Sequence, residues 1–440
     1  MDKRSRGRNL ISIKKHNRAV ILNILRQRGP ISRAEIARIS KLTPPTVSNL
    51  VSELAGSEFI REIGAGDSYR SGGRRPTLLT LNPEAGYVVG IKIGVTLLEA
   101  ILTDLEGRIL HRAQTGKVAG ENPGAVVDQL AGLVQSLLNQ SNLPRERLLG
   151  IGAASSGVIN SEKGIVRRSS LLQWKDVPLA QLIEERFPVP VFIENDANVV
   201  ALAEKWHGAA VNESNVICIT IGVGIGAGII IGGELYGGSH HGAGEIGHIV
   251  VDRQGPVCNC GKRGCLEALA SDGAIARRAA MALAERNLPA SAWAHAAQKG
   301  PGAPQSNAAT SVEFTADDVS RAAEAGDPLA REIMEETGRY IGIGIANIAN
   351  LIDPEMIILG GERMGQSGHL LLAAVKGAVN EHLFSQPAAG LRIMPSRLGN
   401  DAWVIGAATL VLKEFFQPAT HRLEKHRLDT KVTPAAKSVL

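Results

Sequence analysis

The chain has 440 residues, 44% apolar and 21% charged, the balance of a globular protein with room for two or three domains. It has no apolar run long enough to span a membrane, and its basic N-terminus lacks the apolar core of a signal peptide. Residues 1–76 hold 16 Lys+Arg against 6 Asp+Glu, a balance of +10, while the rest holds 32 against 37, a balance of −5. Only the first part is therefore expected to meet a polyanion. Four cysteines fit a reducing cytoplasm, and 3% aromatic content leaves the cores to Ala, Ile, Leu and Val.

Residues 1–16 are polar and basic and read as a flexible arm. A winged helix-turn-helix is expected over 17–82. Val20, Ile21, Ile24 and Leu25 recur at helical spacing until Gly29-Pro30. Ser32 and Glu35 form a capping box for a second helix, with Ala34, Ile36, Ala37 and Ile39 inward. Thr43 caps a third helix, with Pro44 at its first position and Val47, Leu50, Val51 and Leu54 buried. That helix would read DNA through Pro45, Thr46, Ser48 and Asn49. FIREI (59–63) and TLLTL (77–81) alternate like strands around a Gly-rich wing whose Arg70, Arg74 and Arg75 suit backbone phosphates or a minor groove. The implied partner is double-stranded operator DNA. One such head reads a half-site, so a homodimer or tetramer is expected.

The body runs over 86–413. YVVGIKIGVTLLEAILTDLEGRILHRA (87–113) reads as three strands with turns between them, and NVICITIGVGIGAGIIIGGELYGGS (215–239) repeats the pattern. Two related lobes with a cleft between them follow. Between the copies a helix near 123–139, a strand near 148–154, the strand VFIEN (191–195) and a helix from Ala197 to about Trp206 are expected. Asn195-Asp196 stands at a strand end, where open α/β sheets bind ligands. A helix cap by Asp196 is the bland reading of the same residues. Cys218, inside VICIT, reads as a small buried strand residue.

In residues 244–271, GEIGHIVVDRQGPVCNCGKRGCLEALAS, Cys258, Cys260 and Cys265 follow C-x-C-x4-C, with His248 upstream. Three thiols and an imidazole complete a tetrahedral set for a structural zinc ion, with no open position for a catalytic water. Gly, Asn, Lys and Arg around the cysteines argue against a buried thiol cluster. Glu245 and Glu267 bracket the loop and suit a polyhydroxylated ligand, because sugar hydroxyls donate to carboxylates. Solvated surface charges are the alternative for both.

The segment G-E-x-G-H followed by C-x-C-G-x-x-G-C-x-E resembles the signature of the ROK family, which holds sugar-responsive repressors, among them xylose- and N-acetylglucosamine-responsive ones, and sugar kinases. The similarity runs over most of residues 17–413. It implies a two-lobed actin-like or hexokinase-like (ribonuclease H-like) α/β body, a sugar effector held by Asn195, Asp196, Glu245, His248 and Glu267, and zinc on His248, Cys258, Cys260 and Cys265. It matches Asp196 to the base of the family's kinases and SSGVIN (155–160) to a sugar-side loop, with Ser156 in place of Pro. The kinases' Asp-x-Gly-Gly-Thr turn reads Lys92-Ile93-Gly94-Val95-Thr96 here. An ammonium replaces the carboxylate that holds magnesium, and Val95 blocks close approach to phosphate. In the second phosphate loop Gly222, Gly224, Gly226 and Gly228 remain, with Val223 in place of Thr, and Gly360-Gly361 resembles the adenosine-side turn. Lys92 leaves a phosphorylated effector open.

The expected remainder is an exposed loop at 291–314, a long small-residue helix at 330–354 for packing within the lobe or against a partner subunit, a last helix (401–416) returning to the first lobe, and a disordered tail at 417–440. The whole reads as a cytoplasmic sugar-responsive repressor without enzymatic activity. The runner-up is a sugar kinase retaining a DNA-binding head.

Overall fold

A computed structural model describes residues 3–65, 75–116, 122–287, 293, 315–385 and 390–417, with the backbone alone described for 3–12. The chain divides into two units, one of residues 1–199 with 403–440 and one of residues 200–402. Among the described residues no helix is long and apolar enough to cross a membrane.

Unit 1 opens with α1 (Lys3–Arg28), so from Lys3 onward the expected arm is helical instead. β1 (Ile31–Ser32), α2 (Arg33–Ser40) and α3 (Pro44–Gly56) follow. The Ser32–Glu35 capping box forms in both directions. Only Ile36 of α2 is buried, and Ala34, expected inward, is exposed, because an eight-residue helix buries a narrow stripe. The buried face of α3 is Val47, Leu50, Val51 and Leu54, as its 3.6-residue spacing predicts. β2 (Ile60–Ala65) and β3 (Thr77–Leu81) complete an antiparallel sheet in the order β1-β3-β2. Arg70 and Arg74 lie outside the described residues.

The larger sheet of unit 1 contains β4 (Tyr87–Ile93), β5 (Leu97–Asp104) and β6 (Ile109–Gly116). After α4 (Pro123–Ser141) comes β7 (Leu148–Ser155), parallel to β4. A meander of β8 (Val158–Asn160), β9 (Ile165–Ser169) and β10 (Trp174–Val177), not anticipated from the sequence, forms its own small sheet. α5 (Leu179–Glu184) leads to β11 (Val191–Asn195) and α6 (Asp196–His207). The five-stranded order is β11-β7-β4-β5-β6. Its core is mostly aliphatic, with Val126, Leu130 and Val134 of α4 in one cluster with Ile91, Leu98 and Leu102, joined by Tyr87, Trp174 and Phe187.

Unit 2 repeats this plan. β12 (Val216–Ile221), β13 (Ile225–Ile231) and β14 (Glu234–Leu235) are the hairpin strands, and β15 (Met356–Gly360) and β16 (Arg392–Pro395) add in parallel. The order β16-β15-β12-β13-β14 matches that of unit 1 strand for strand. Cys218 is buried in β12. The helices are α7 (Leu266–Ala270), α8 (Asp272–Glu285), α9 (Ala316–Glu324), α10 (Pro328–Ile352) and α11 (Glu362–His382). The small residues of α10 are used inside the unit: a Cβ on Gly342 would stand 2.6 Å from that of Ala378 on α11. Of the expected exposed loop at 291–314 only Trp293 is described, and it is buried, its indole N–H donating to Asp327.

The last helix, α12 (Ala402–Phe416), belongs to unit 1 as expected, while 418–440 lie outside the described residues. It presses on β7 so closely that a Cβ on Gly152 would stand 1.8 Å from the Ala407 carbonyl oxygen. At its end Phe415 meets Phe59, just past α3, at 5.3 Å between ring centroids, and Arg26 of α1 lies over Phe416 at 5.6 Å.

Candidate functional site

The metal loop grows out of the end of the unit 2 hairpin. Ala227 of β13 donates to the Gly244 carbonyl and fixes the start of the segment. A single 3-10 turn, Ile246–His248, then presents the imidazole. Farther on, the chain folds into a knuckle: the Cys258 N–H donates to the Lys262 carbonyl at 2.7 Å, and the Gly261 N–H to the Cys258 carbonyl at 2.9 Å. Gly264 closes it at φ +75, where a Cβ would strike the Asp252 carbonyl oxygen.

This folding brings His248, Cys258, Cys260 and Cys265 together, with all four ligand atoms within 4.8 Å of one another. His248 Nδ1 lies 3.6 Å from Cys258 Sγ, and Cys260 Sγ lies 3.6 Å from Cys265 Sγ. Tetrahedral bonds of about 2.3 Å to each sulfur put sulfurs about 3.8 Å apart, so these four residues can hold a metal ion. Burial pushes the Cys265 thiol up to about 12 and raises Cys258, whereas the Lys262 backbone N–H holds Cys260 low. A cation supplies the charge that deprotonates such buried thiols.

With Nδ1 turned to the sulfurs, His248 Nε2 faces Glu245 Oε2 at 3.9 Å. At that separation the two are electrostatic neighbours rather than a hydrogen-bonded pair. Burial raises the Glu245 carboxyl above its ordinary range, His248 opposes this and Glu267 adds to it. Glu267, on the first turn of α7, accepts the Ile225 N–H at 3.1 Å. Glu245, His248 and Glu267 thus share one neighbourhood of unit 2.

Asn195 and Asp196 belong to unit 1, at the junction of β11 and α6. The cap of α6 is Asn195 rather than Asp196 alone: its Oδ1 accepts from the N–H groups of Ala197 at 2.9 Å and Asn198 at 3.2 Å. Its Nδ2 donates to the Gly157 carbonyl at 2.9 Å and ties down the SSGVIN loop. Asp196 Oδ1 accepts the Ala197 N–H. Sequence reasoning passed over Glu194 and Asn198. Glu194 takes the Asn195 N–H, the Asn198 amide and the Ser161 hydroxyl, and so holds the junction rigid. The spacing Glu194-Asn195-Asp196-x-Asn198 was the available signal.

Lys92 of β4 lies with its ammonium 3.4 Å from the centre of the Trp403 ring. Val95 and Val223 are exposed at their turns. Gly222 and Gly224 form the second turn, whereas Gly226 and Gly228 sit inside β13 opposite Thr220 and Cys218. In the head, Pro45, Ser48 and Asn49 are exposed, while the Thr46 hydroxyl is within 2.8 Å of the Thr43 hydroxyl as part of the cap. Arg75 is exposed, as are Arg38 and Lys41 at the turn between α2 and α3, which the sequence reading did not single out.

The chain matches the ROK family over residues 88–414 and the MarR family over residues 15–63. It is 34% identical over 408 residues to the xylose repressor of Bacillus subtilis, covering 93% of this chain and 98% of that one. A crystal structure of a ROK family transcriptional regulator, a homologue of the E. coli MLC protein, aligns with TM-score 0.78 at 29% identity over 94% of this chain and 99% of that chain. A ROK family glucokinase from Streptomyces griseus, in complex with glucose and AMPPNP, aligns with TM-score 0.61 at 29% identity over 74% of this chain and 99% of its own.

Proposed function

The chain belongs to the ROK family, and from that premise we propose that it is a sugar-responsive DNA-binding transcriptional regulator, a repressor of carbohydrate-utilisation genes. The observation that carries the reading is a capped helix-turn-helix head with a three-stranded wing sheet, joined in one chain to the ROK body. Pro45, Thr46, Ser48 and Asn49 face the major groove, and Arg70, Arg74 and Arg75 take phosphate or minor-groove contacts, with Arg38 and Lys41 as further phosphate contacts. A homodimer supplies the second half-site reader.

The effector is a sugar contacted by Asn195, Asp196, Glu245, His248 and Glu267. His248, Cys258, Cys260 and Cys265 hold a structural zinc ion, which fastens the loop and fixes the ring that faces Glu245. Zinc with four protein ligands supplies folding energy rather than chemistry. Sugar binds one state of the regulator more tightly than the other, and a coupling of about 1–3 kcal/mol changes operator affinity five- to 150-fold. The kinase function is lost: Lys92 stands where magnesium would need a carboxylate and is engaged with Trp403.

The test is binding of the purified protein to labelled DNA from upstream of its own and adjacent genes, at fixed salt, with and without each sugar of a panel. Specific binding altered by one sugar supports the reading, and no specific binding under any condition overturns it. One observation, Asp196 at the start of α6, favours the kinase reading instead. ATP-dependent phosphorylation of any sugar by the pure protein would establish that alternative.

A further inference from the structure

The turn that follows α3 is gripped by two elements of the body, all within unit 1. Glu58 stands at φ +65, just past the end of the helix. The N–H groups of Glu58 and Phe59 donate back to the carbonyls of Ala55 at 3.0 Å and Leu54 at 2.9 Å, so the turn moves with α3. Asn82, only 4% exposed, fastens the same turn to the start of the body: its amide donates to the Glu58 carbonyl at 2.7 Å and its N–H to the Phe59 carbonyl at 2.8 Å.

Two side chains of the body then meet these consecutive residues. Arg147, at the end of the 3-10 turn Arg145–Arg147, donates through Nη2 to the Glu58 carboxylate at 2.6 Å and through Nη1 to the Glu84 carbonyl at 3.1 Å. Phe415 of α12 takes the ring of Phe59. Arg147 immediately precedes β7, whose far end, Ser155, pairs with Asn195. Asn195 also holds the Gly157 carbonyl just beyond that end. β7 is hydrogen-bonded on both edges, to β4 and β11, and α12 lies on it at Gly150 and Gly152. An extended strand paired in this way has little freedom to shorten, so a displacement at one end is carried roughly 26 Å to the other.

We propose that Arg147 is the positioning residue that couples sugar occupancy at Asn195 to the placement of α3 on DNA. This deepens the sugar-responsive reading above and rests on it. A sugar held at the Asn195 end favours one placement of β7; Arg147 moves with the strand, and Glu58 passes the shift to the last turn of α3. The guanidinium suits this task, because a planar fork that holds a carboxylate and a carbonyl at once fixes direction as well as distance. The pair is solvent-accessible, with side-chain exposures of 40% and 63%, and contributes little to stability. Its loss is therefore read as lost coupling rather than as unfolding.

The experiment measures operator affinity of the full chain at fixed salt, without sugar and with saturating D-xylose, D-glucose or N-acetyl-D-glucosamine. The proteins compared are the unaltered chain, Arg147→Ala, Arg147→Lys, Glu58→Gln and the double variant of Arg147→Ala with Glu58→Gln. Melting temperature checks folding, and sugar titration without DNA reports on the sugar site itself. In the unaltered chain one sugar is expected to change operator affinity at least about fivefold. Arg147→Ala and Glu58→Gln are each expected to shrink that ratio at least about threefold, with melting temperature and sugar affinity nearly unchanged. The double variant is expected to lose no more than the larger single loss, as for two residues acting through one contact. Arg147→Lys, which keeps the charge and loses the fork, is expected to fall between. A ratio that Arg147→Ala leaves unchanged overturns the proposal, even where operator affinity itself drops. So do losses that add in the double variant. If no sugar alters operator binding by the unaltered chain, the sugar-responsive reading itself fails and the coupling falls with it.

Discussion

The two five-stranded sheets share one strand order and differ in what their strand ends carry. In unit 1 the third hairpin strand, β6, is eight residues long, and the sheet is finished by α12 lying against Gly152 of β7. In unit 2 the corresponding β14 has two residues, and the chain leaves it for the metal loop and the carboxylates around it. Apolar strands set the topology in both; function resides in what is attached afterwards. In unit 1 a helix packs on bare sheet backbone, whereas in unit 2 a His/Cys cluster that can hold a metal ion follows the hairpin.

The largest test of that contrast is aimed at the proposed ion. Chelation, or Cys265→Ser, is expected to abolish metal content and to destabilise unit 2 by on the order of 3 kcal/mol or more, because binding energy at such a site is folding energy. Hydrogen exchange should show residues 248–265 losing protection while β4 and β7 keep theirs. Equal loss in both units would break the comparison. The converse perturbation is Gly152→Val. It forces a side chain into the Ala407 carbonyl and should cost about 3 kcal/mol in urea denaturation, with β12 and β15 remaining protected.

The contrast also explains what the sequence disclosed. Strands such as VVGIKI and VICITI are buried on both faces, so their apolar runs announce them, and the two hairpins were legible as a repeat. The caps at Ser32 and Thr43 were legible because the side chain itself makes the bond. The gathering of His248, Cys258, Cys260 and Cys265 was legible because few other roles need three closely spaced thiols among polar residues. The β8–β10 meander was not, since its short strands mix Arg, Lys and Asp with isolated apolar residues. Nor was the pairing of Arg147 with Glu58. The two stand 89 residues apart in sequence, and no local pattern encodes that approach.

Lys92 offers a smaller and more local test. Its ammonium on the Trp403 ring is a contact of unit 1 alone, so Lys92→Met should cost about 1 kcal/mol of stability. If the ammonium instead served an anionic ligand, the substitution would leave stability unchanged and weaken binding of inorganic phosphate.

The smallest effect concerns how the head is held, and pH separates it from the rest. Glu53 of α3 binds Lys14 at 2.6 Å and Arg18 at 2.5 Å, both on α1. Hydrogen bonds from Lys14 and then Arg18 hold its carboxyl below the ordinary value. A depressed folded value means that the clamp stabilises the protein above the unfolded carboxyl range, near 4.3, and is lost as pH falls through the folded value. The Glu53 side chain is 37% exposed, so solvent screening limits the contribution to roughly 0.5 kcal/mol. Glu53→Gln should therefore lower the melting temperature slightly at pH 7, and the difference should shrink as pH falls through the folded value and the native carboxyl becomes protonated. Added salt should shrink the difference at pH 7 toward zero. A difference that persisted undiminished at low pH would mean that Glu53 acts through packing rather than through its charge.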